Sequence, residues 1–326
     1  MSTTTAPVPP SAPDERPQIR GTETMPSRML FWQRVAMVAI VAIPLLGVAA
    51  ALWWGYGNGV SAIDIGLLVG FYAVTGLGIT VGFHRLLTHK SFKAPTWLRV
   101  VFAVAGSMAV QGSATYWVAT HRRHHAYSDQ VGDPHSPHLE PDDGVVAMLK
   151  GMWHAHVGWM FDDDVTKAET WAPDLLDEPA IVRVSQMFGW LVLASFLLPA
   201  ILGGLLTMSL TGAVTGFLWG ALVRIFVLHH VTWSINSVCH VFGTRPFDSH
   251  DEARNNAPMA LLGFGEGWHN AHHAFPASAR HGLRWWEVDV SWMLIRTLQV
   301  LRVVRDVKVP SKAQIERRVL RAKAES

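Results

Sequence analysis

Eight of the 17 histidines in the chain lie in three short clusters, each beside a long apolar stretch. Neutral imidazole is the commonest side-chain ligand of protein-bound metals. One structural zinc ion takes about four ligands, so eight clustered histidines exceed the need of a single ion and indicate two metals. The clusters read His84-Arg85-Leu86-Leu87-Thr88-His89, His121-Arg122-Arg123-His124-His125 and His269-Asn270-Ala271-His272-His273.

Spacing in two clusters predicts convergent imidazoles. Residues at i, i+3 and i+4 of a helix are neighbours on its surface. The residues with this spacing are His121, His124 and His125 in one cluster and His269, His272 and His273 in the other. Each of these clusters is therefore predicted to be a ligand set on a helix.

Two further pairs extend the pattern. Asn236 and His240 are four residues apart near the end of an apolar segment. His84 and His89 are five apart and would diverge by about 140° on a regular α-helix. The sequence therefore predicts either that the helix ends between these two histidines or that they serve different metals.

Four segments are long and apolar enough to cross a bilayer, which requires about 20 apolar residues. The composition agrees, since 16% of the residues are charged against about 25% in soluble domains. We therefore predict an all-α integral membrane protein with four transmembrane helices. The spans are expected at about 31–54, 60–83, 188–210 and 213–233.

Basic residues flank these spans on one side only. The short loops 55–59 and 209–212 carry no Lys or Arg. Because basic loops stay in the cytoplasm, both termini, the long middle segment and every histidine cluster are predicted to be cytoplasmic. This topology predicts a cytoplasmic helical cap that holds a di-metal site. The flanking residues are Arg16, Arg20, Arg28 and Arg34 before the first span and Arg85, Lys90, Lys93 and Arg99 after the second.

The chain divides into three parts. Residues 1–28 are rich in Pro, Ser and Thr without an apolar run, so they are expected to be a disordered N-terminal segment. Residues 29–305 are expected to form one membrane unit, and 306–326 a basic cytoplasmic tail. The polar-interrupted stretch 97–118 is predicted to be a helix buried in the cap or lying at the interface.

The sequence also allows specific predictions for Cys239, for the surface charge and for Arg224. Cys239 is the only cysteine, which excludes disulfides and iron–sulfur ligation, and a net charge of +2 gives no basic surface for nucleic acid. Arg224 lies inside the fourth span and needs a partner, for which Asp64 in the second span is the candidate.

Four histidines outside the clusters also have expected positions. His250 and His281 are expected at the surface, and His135 and His156 beside the ligand histidines. For the metal itself, imidazole suits zinc, copper and iron. A dinuclear site beside a lipid-facing pocket favours oxygen activation by iron, without the Glu-x-x-His pairs of soluble di-iron proteins.

Two blocks of sequence resemble the membrane fatty acyl desaturases, specifically the acyl-CoA delta-9 (stearoyl-CoA desaturase) family. The resemblance covers roughly Phe31 to Leu298. The blocks are Thr232-Trp233-Ser234-Ile235-Asn236-Ser237-Val238-Cys239-His240, continuing to Gly243-Thr244-Arg245-Pro246-Phe247-Asp248, and Gly265-Glu266-Gly267-Trp268-His269-Asn270-Ala271-His272-His273-Ala274-Phe275-Pro276.

The resemblance implies roles for individual positions. In that family nine histidines hold two irons, an asparagine holds a metal-bound water, and a bent acyl tunnel selects where the double bond forms. The matching histidines are His84, His89, His121, His124, His125, His240, His269, His272 and His273. The water ligand matches Asn236, and the tunnel residues match Gln111, Trp117 and Trp233.

The implied reaction is the oxygen-dependent removal of two hydrogens from a saturated acyl thioester, with acyl-CoA as the expected carrier and a delta-9 double bond as product. The chain has no dinucleotide loop, no iron–sulfur cysteines and no fused cytochrome b5 segment. An external donor is therefore expected: ferredoxin or a cytochrome, fed by an NAD(P)H reductase. A bacterial cytoplasmic membrane is the expected location.

Two departures from the animal members concern the CoA head group. Ala119-Thr120 stand where those members carry Arg-Asp, and Asp162-Asp163-Asp164 stand where they carry basic residues. An acidic run repels a nucleotide phosphate. Either other residues bind CoA, or the carrier differs. The candidate cations are Arg122, Arg123, Lys150 and Arg183.

Two other functions share some of these features. A histidine-box hydroxylase of fatty acids or alkanes would have the same metal and topology, but the match over residues 232–276 favours desaturation. A non-enzymatic metal-binding or transport protein is the second alternative. Transporters bind their cargo near the middle of the bilayer, whereas these histidines lie beyond the ends of the predicted spans.

Overall fold

A computed structural model of the chain describes residues 19–139 and 144–324. The strands are β1 (Thr22–Thr24) and β2 (Asp164–Thr166). The α-helices are α1 (Ser27–Asn58), α2 (Ala62–Leu77), α3 (Thr96–Ser107), α4 (Ala114–Tyr127), α5 (Val145–His156), α6 (Ala168–Trp171), α7 (Pro173–Leu176), α8 (Pro179–Gln186), α9 (Phe188–Thr207), α10 (Leu210–Gly216), α11 (Arg224–Ser237), α12 (Ala257–Leu262), α13 (His269–Ala274), α14 (Val290–Val300) and α15 (Lys312–Ala324). Wider π-helical turns follow α2 over Gly78–Thr88 and α10 over Phe217–Val223, and 3-10 turns cover Gly158–Phe161 and Val238–His240.

The four predicted spans are confirmed as helices long and apolar enough to cross a membrane. In the described part of the chain these helices cover Ser27–Asn58, Ala62–Thr88, Phe188–Thr207 and Leu210–His240. The second and fourth exceed their predicted ends because π-helical and 3-10 turns continue them. Both therefore extend to histidines of the predicted site.

Asp64 and Arg224, two charged side chains inside the spans, each have other partners, so the predicted Arg224–Asp64 pair is wrong. Asp64 forms a capping box with Ser61 at the start of α2, where each side chain accepts a backbone hydrogen bond from the other residue. Arg224 is fully buried and donates to the carbonyl oxygens of Met108 and Ser195 at 3.2 and 3.1 Å. Its charge therefore ties the fourth span to α9 and to the segment after α3.

The stretch predicted as one buried or interfacial helix, 97–118, is divided between two helices. α3 ends at Ser107, and α4 begins at Ala114 after a segment in which Val110 and Gly112 have φ values of 62° and 103°. α3 packs against the π-helical end of the second span, where Gly78 meets the backbone of Gly106 without room for a side chain. This contact aligns α4, and with it the second histidine cluster, beside the first.

Both ends of the described chain pack against other parts of the protein. Most of the predicted disordered segment, residues 1–18, lies outside the described residues; within its remainder, β1 pairs antiparallel with β2, Thr22 opposite Thr166. In the predicted basic tail, Ile315 and Val319 of α15 pack against a small cluster around Phe247. The tail is therefore a packed helix over the segment that carries the third histidine cluster.

The main apolar core surrounds the histidine end of the second span. Phe83, Leu86 and Leu87 are buried there against side chains of α3 and α4. Burying a side chain of this size contributes about 1.5–3 kcal/mol. The first histidine cluster thus lies within the main apolar core.

Candidate metal centre

All nine histidines of the predicted ligand set come together, in two adjacent groups. Within each group the ring nitrogens lie within 4.8 Å of one another. The five-histidine group contains His84, His89, His121, His125 and His272, and the four-histidine group contains His124, His240, His269 and His273. Seven of the nine are buried, and His89 and His125 are the more accessible members of the five-histidine group.

The π-helical turn explains how His84 and His89 converge. Neither predicted explanation holds, because the helix continues through Thr88 and both histidines belong to one group. A π-helix closes i→i+5 hydrogen bonds and so has a wider turn than an α-helix. The His89 N–H donates to the His84 carbonyl at 3.1 Å, and the two ring centroids lie 4.8 Å apart.

The two i, i+3, i+4 clusters divide their histidines between the groups. On α4, the pair at i and i+4 joins the five-histidine group, while His124 joins the other. On α13 the pair at i and i+4 joins the four-histidine group, while His272 joins the five-histidine group. Each helix therefore contributes to both groups, which keeps them adjacent: the rings of His125 and His273 are 4.5 Å apart.

Ligand-atom distances test whether an ion fits. The Nε2 atom of His272 lies 3.0 Å from the Nε2 atoms of both His84 and His125, and those of His240 and His269 are 3.1 Å apart. Two nitrogens bound to one metal at about 2.1 Å are about 3.0 Å apart when the N–metal–N angle is 90°. In a tetrahedral site the same two nitrogens are about 3.4 Å apart. These distances therefore suit an ion with more than four ligands. The Nε2 atoms of His124 and His273 are buried without any other partner.

Carboxylate groups contact the Nδ1 atoms of four ligand histidines and so orient their rings. His124, His240 and His273 donate from Nδ1 to Asp133, Asp129 and Asp251 at 3.0, 2.8 and 2.5 Å. His84 makes the same contact with Glu266. Such a partner holds the proton on Nδ1 and leaves Nε2 free to bind a metal.

Burial and the carboxylates act in opposite directions on the charge states of the histidines: burial lowers the pKa of His124, but the charge and hydrogen bond of Asp133 outweigh it and raise that pKa. Burial alone would raise the pKa of Asp133, but the charge and hydrogen bond of His124 outweigh it and lower the pKa to about 2. The His240 contact likewise lowers the pKa of Asp129. Burial, reinforced by neighbouring imidazoles, lowers the pKa of His272 well below its usual value. At neutral pH the carboxylates are charged and this ring is neutral, as a ligand must be.

The carboxylate contacts predict a graded loss of metal. Asp251→Asn keeps the shape but weakens the contact to His273, so metal affinity is expected to fall about 10–100-fold. Metal content per chain after dialysis against a chelator measures this. Asp248→Asn is the matched control on the same loop, because Asp248 is partly exposed and pairs with Arg318. Equal retention of metal by both variants would contradict the orienting role of Asp251.

A buried charged network behind the five-histidine group was not predicted. Arg85 is fully buried; it donates a hydrogen bond to Asp289 at 2.9 Å and forms an ion pair with Glu266 at an N–O distance of 3.1 Å. The expectation that His281 lies at the surface is wrong: it is 1% exposed, contacts Arg85 at 3.0 Å, and its ring is 4.4 Å from that of His272. Arg85 adjoins His84 in sequence, but it was counted only as a flanking basic residue.

The predictions for the other histidines are confirmed for two residues and wrong for one. The ring of His135 lies 4.5 Å from that of His124, beside a ligand histidine as expected, and His250 is exposed as expected. The expectation for His156 is wrong, because its ring nitrogens contact Ser237 and His230 at 2.9 and 3.0 Å. This pair joins α5 to α11.

A cavity of about 610 Å³ adjoins both histidine groups. Its wall includes His84 and His121 of the five-histidine group and His269 of the other, together with Asn236. Trp117, one of the predicted tunnel residues, stacks on His121 at 4.8 Å. All three predicted tunnel residues line the cavity: Gln111, Trp117 and Trp233.

Thr232 is a polar residue of the cavity wall that was not predicted. Gln111 donates through Nε2 to the Thr232 hydroxyl at 3.0 Å, which bridges the segment after α3 to α11. Thr232 begins the first block that resembles the desaturases, so its position in that block was the available signal. The remaining wall is mostly aliphatic and aromatic.

Four candidate spans, two adjacent histidine groups and an apolar cavity beside them are typical of histidine-rich membrane oxidoreductases. Residues 63–292 match the family described as fatty acid desaturase. The chain belongs to that family, and its resemblance to the membrane fatty acyl desaturases is confirmed.

Relatives in the family include proteins named for different acyl carriers. The chain is 44% identical over 281 residues to the hex-5-enoyl-[acyl-carrier protein] acetylenase of Moorena producens (strain JHB), covering 85% of this chain and 87% of that protein. It is 40% identical over 256 residues to the sn-1 stearoyl-lipid 9-desaturase of Anabaena variabilis, covering 78% and 86%. It is 40% identical over 245 residues to the acyl-CoA C20 delta5-desaturase of Anemone leveillei, covering 74% and 72%.

Proposed function

We propose that this protein uses two iron ions and O2 to insert a double bond, at the delta-9 position, into a saturated acyl chain. The nine histidines are proposed as the iron ligands, and Asn236 is proposed to hold a water at the centre. One observation carries the proposal: a single apolar cavity has His84, His121 and His269 in its wall. A saturated chain in that cavity would therefore lie beside both groups.

The residues present suit this chemistry. Bound iron would supply the activation of O2, and the overall reaction takes one methylene pair, O2, two electrons and two protons to one double bond and two waters. An all-imidazole donor set suits iron, and the distances between ligand nitrogens suit more than four ligands per ion. The aspartates keep Nε2 of their histidines free of protons.

The cavity wall would position the chain and exclude water. Trp117 stacks on His121, so it covers one side of the five-histidine group with an apolar surface. Gln111 and Thr232, which are joined by a hydrogen bond, also form part of the cavity wall. We propose that these residues fix the bend of the chain and so decide which methylene pair meets the centre.

The electrons are proposed to come from a separate ferredoxin or cytochrome, supplied by an NAD(P)H reductase. The protein is proposed to reside in a bacterial cytoplasmic membrane. Both termini, the cap and the metal centre would face the cytoplasm, as the distribution of basic residues around the spans supports.

Metal and product analysis test the proposal together. Purified protein is expected to contain about two irons per chain. With a reducing donor and O2 it is expected to convert a saturated acyl chain to a monoene, located by mass spectrometry. Zinc in place of iron would contradict the metal assignment. A hydroxylated chain as the sole product would favour the hydroxylase alternative.

A further inference from the structure

We propose that the C-terminal segment 302–319 (the basic segment) is the docking surface for the protein that supplies electrons, and that this donor presents an acidic face. The inference rests on the desaturase function proposed above, because it assigns a docking place and a surface charge to the donor that this function requires. Three features carry it: the charge of the basic segment, its contacts beside the ligand histidines, and the position of the two more accessible histidines.

The basic segment has a large excess of positive charge. It contains six Lys or Arg residues and two carboxylates. One of those carboxylates, Asp306, pairs with Lys93 outside the segment. Lys308 and Lys312 are exposed and have no carboxylate partner among the residues that the structure describes. Their charges are therefore available to a partner with an acidic surface.

The first half of the basic segment lies directly against the residues that follow His89. Arg305 and Lys93 exchange two backbone hydrogen bonds, at 2.8 and 3.0 Å. The Lys308 N–H donates to the carbonyl of Ser91 at 2.8 Å, and Ser91 is the second residue after His89. The exposed lysines are thus held beside the five-histidine group.

Most of the second half of the basic segment belongs to α15, which packs on the third histidine cluster. Ile315 and Val319 of α15 contact a small apolar cluster. That cluster includes Ala271 and Ala274 of α13, the helix that carries the third histidine cluster. The basic segment therefore reaches from the first histidine cluster to the third and borders both histidine groups.

The metal centre is most accessible at an edge that the basic segment borders. His89 and His125 are the two histidines of the five-histidine group that are not fully buried, and their rings lie 4.6 Å apart. Next to His89, Lys90 pairs with Asp174 at 2.8 Å. Asp174 belongs to segment 162–178, which holds seven carboxylates and one lysine. An acidic partner is therefore attracted to the basic segment and repelled by segment 162–178, which orients it over this edge.

A one-electron donor protein is the partner that suits this surface. The residues that the basic segment contacts follow the ends of the second and fourth spans, at Thr88 and His240, so they continue beyond the membrane-spanning helices. Each double bond requires two electrons, so a donor that is oxidised by one electron must bind and leave twice per turnover. Charged, exposed contacts give fast association and short-lived complexes, which this exchange needs.

Charge reversal tests the docking surface by binding. Lys308→Glu with Lys312→Glu reverses two exposed charges and leaves the backbone contacts of the segment in place. Lys150→Glu with Arg183→Glu is the matched control, since it changes the net charge equally at exposed residues of α5 and α8. Full-length protein in phosphatidylcholine nanodiscs is titrated with a plant-type ferredoxin that has an acidic surface. The Kd is expected to rise at least about tenfold in the first variant and less than about threefold in the control.

Turnover separates docking from chemistry. With iron bound, O2 present and ferredoxin kept reduced by its NADPH reductase, kcat/KM for ferredoxin is expected to fall at least about tenfold in Lys308→Glu with Lys312→Glu. Added salt should lower this value in the unaltered protein more than in the variant. Dithionite-reduced methyl viologen needs no docking surface, so with it all three proteins are expected to form monoene at the same rate.

Each other result overturns a defined part of the proposal. An unchanged Kd in the first variant, or an equal rise in both variants, overturns the docking surface. Failure of ferredoxin to bind the unaltered protein overturns the acidic partner. Protection of Lys312 from trypsin by phosphatidylglycerol in the nanodisc, without ferredoxin, assigns the surface to the membrane instead. Absence of monoene with methyl viologen overturns the desaturase function and leaves the binding result standing.

Discussion

Replacing His272 with alanine is expected to abolish desaturation. Its Nε2 atom lies 3.0 Å from the Nε2 atoms of both His84 and His125, so it occupies the centre of the five-histidine group. Loss of a residue that merely supports a ligand costs about 10–100-fold in metal affinity or activity, so loss of a ligand is expected to cost at least about 100-fold. Product formation and iron content per chain, measured on protein purified from membranes, check the result.

Two companion variants make this prediction specific. His125→Ala removes another member of the same group and is expected to have the same effect. His154→Ala is the control, because His154 lies on α5 in the surface pocket around Lys150 and belongs to neither group. All three proteins should insert into the membrane to a similar extent. Full iron content and unchanged turnover in His272→Ala would refute the ligand assignment.

Local spacing predicted much of the site. The i, i+3, i+4 clusters were enough to indicate that imidazoles on α4 and α13 converge, because helical periodicity is fixed by backbone geometry. The four spans followed from apolar length alone. The division of each cluster between two groups was not predictable in this way, since it depends on how α4 and α13 are placed relative to each other in the fold.

Other features depend on contacts between distant segments. The wide turn that joins His84 and His89 is imposed by packing of residues 78–88 against α3, and no residue type marks it. Asp251 reaches His273 across 22 positions, and Asp129 reaches His240 across 111. Arg224 found carbonyl oxygens rather than Asp64 because Asp64 satisfies the cap of its own helix. These pairings depend on the tertiary structure, and the spacing of residues along one sequence does not predict them.

The buried network around Arg85 gives the second large prediction. Arg85→Leu is expected to destabilise the protein by about 3–5 kcal/mol, because it leaves Glu266 and Asp289 as unpaired buried carboxylates. Glu266 would then orient His84 less well, so iron content should fall as well. A thermal unfolding midpoint in detergent and iron per chain measure the two effects. Arg99→Leu is the control, since its pair with the partly exposed Glu178 is expected to contribute at most about 1 kcal/mol.

A double variant separates loss of charge balance from a general packing defect. Glu266→Gln added to Arg85→Leu removes one of the two unpaired charges, while the glutamine oxygen still accepts the hydrogen bond from Nδ1 of His84. The double variant is therefore expected to recover part of the stability and part of the iron lost by Arg85→Leu alone. If it is no more stable than the single variant, then steric misfit at position 85 rather than uncompensated charge controls this region, and the network does not orient the five-histidine group.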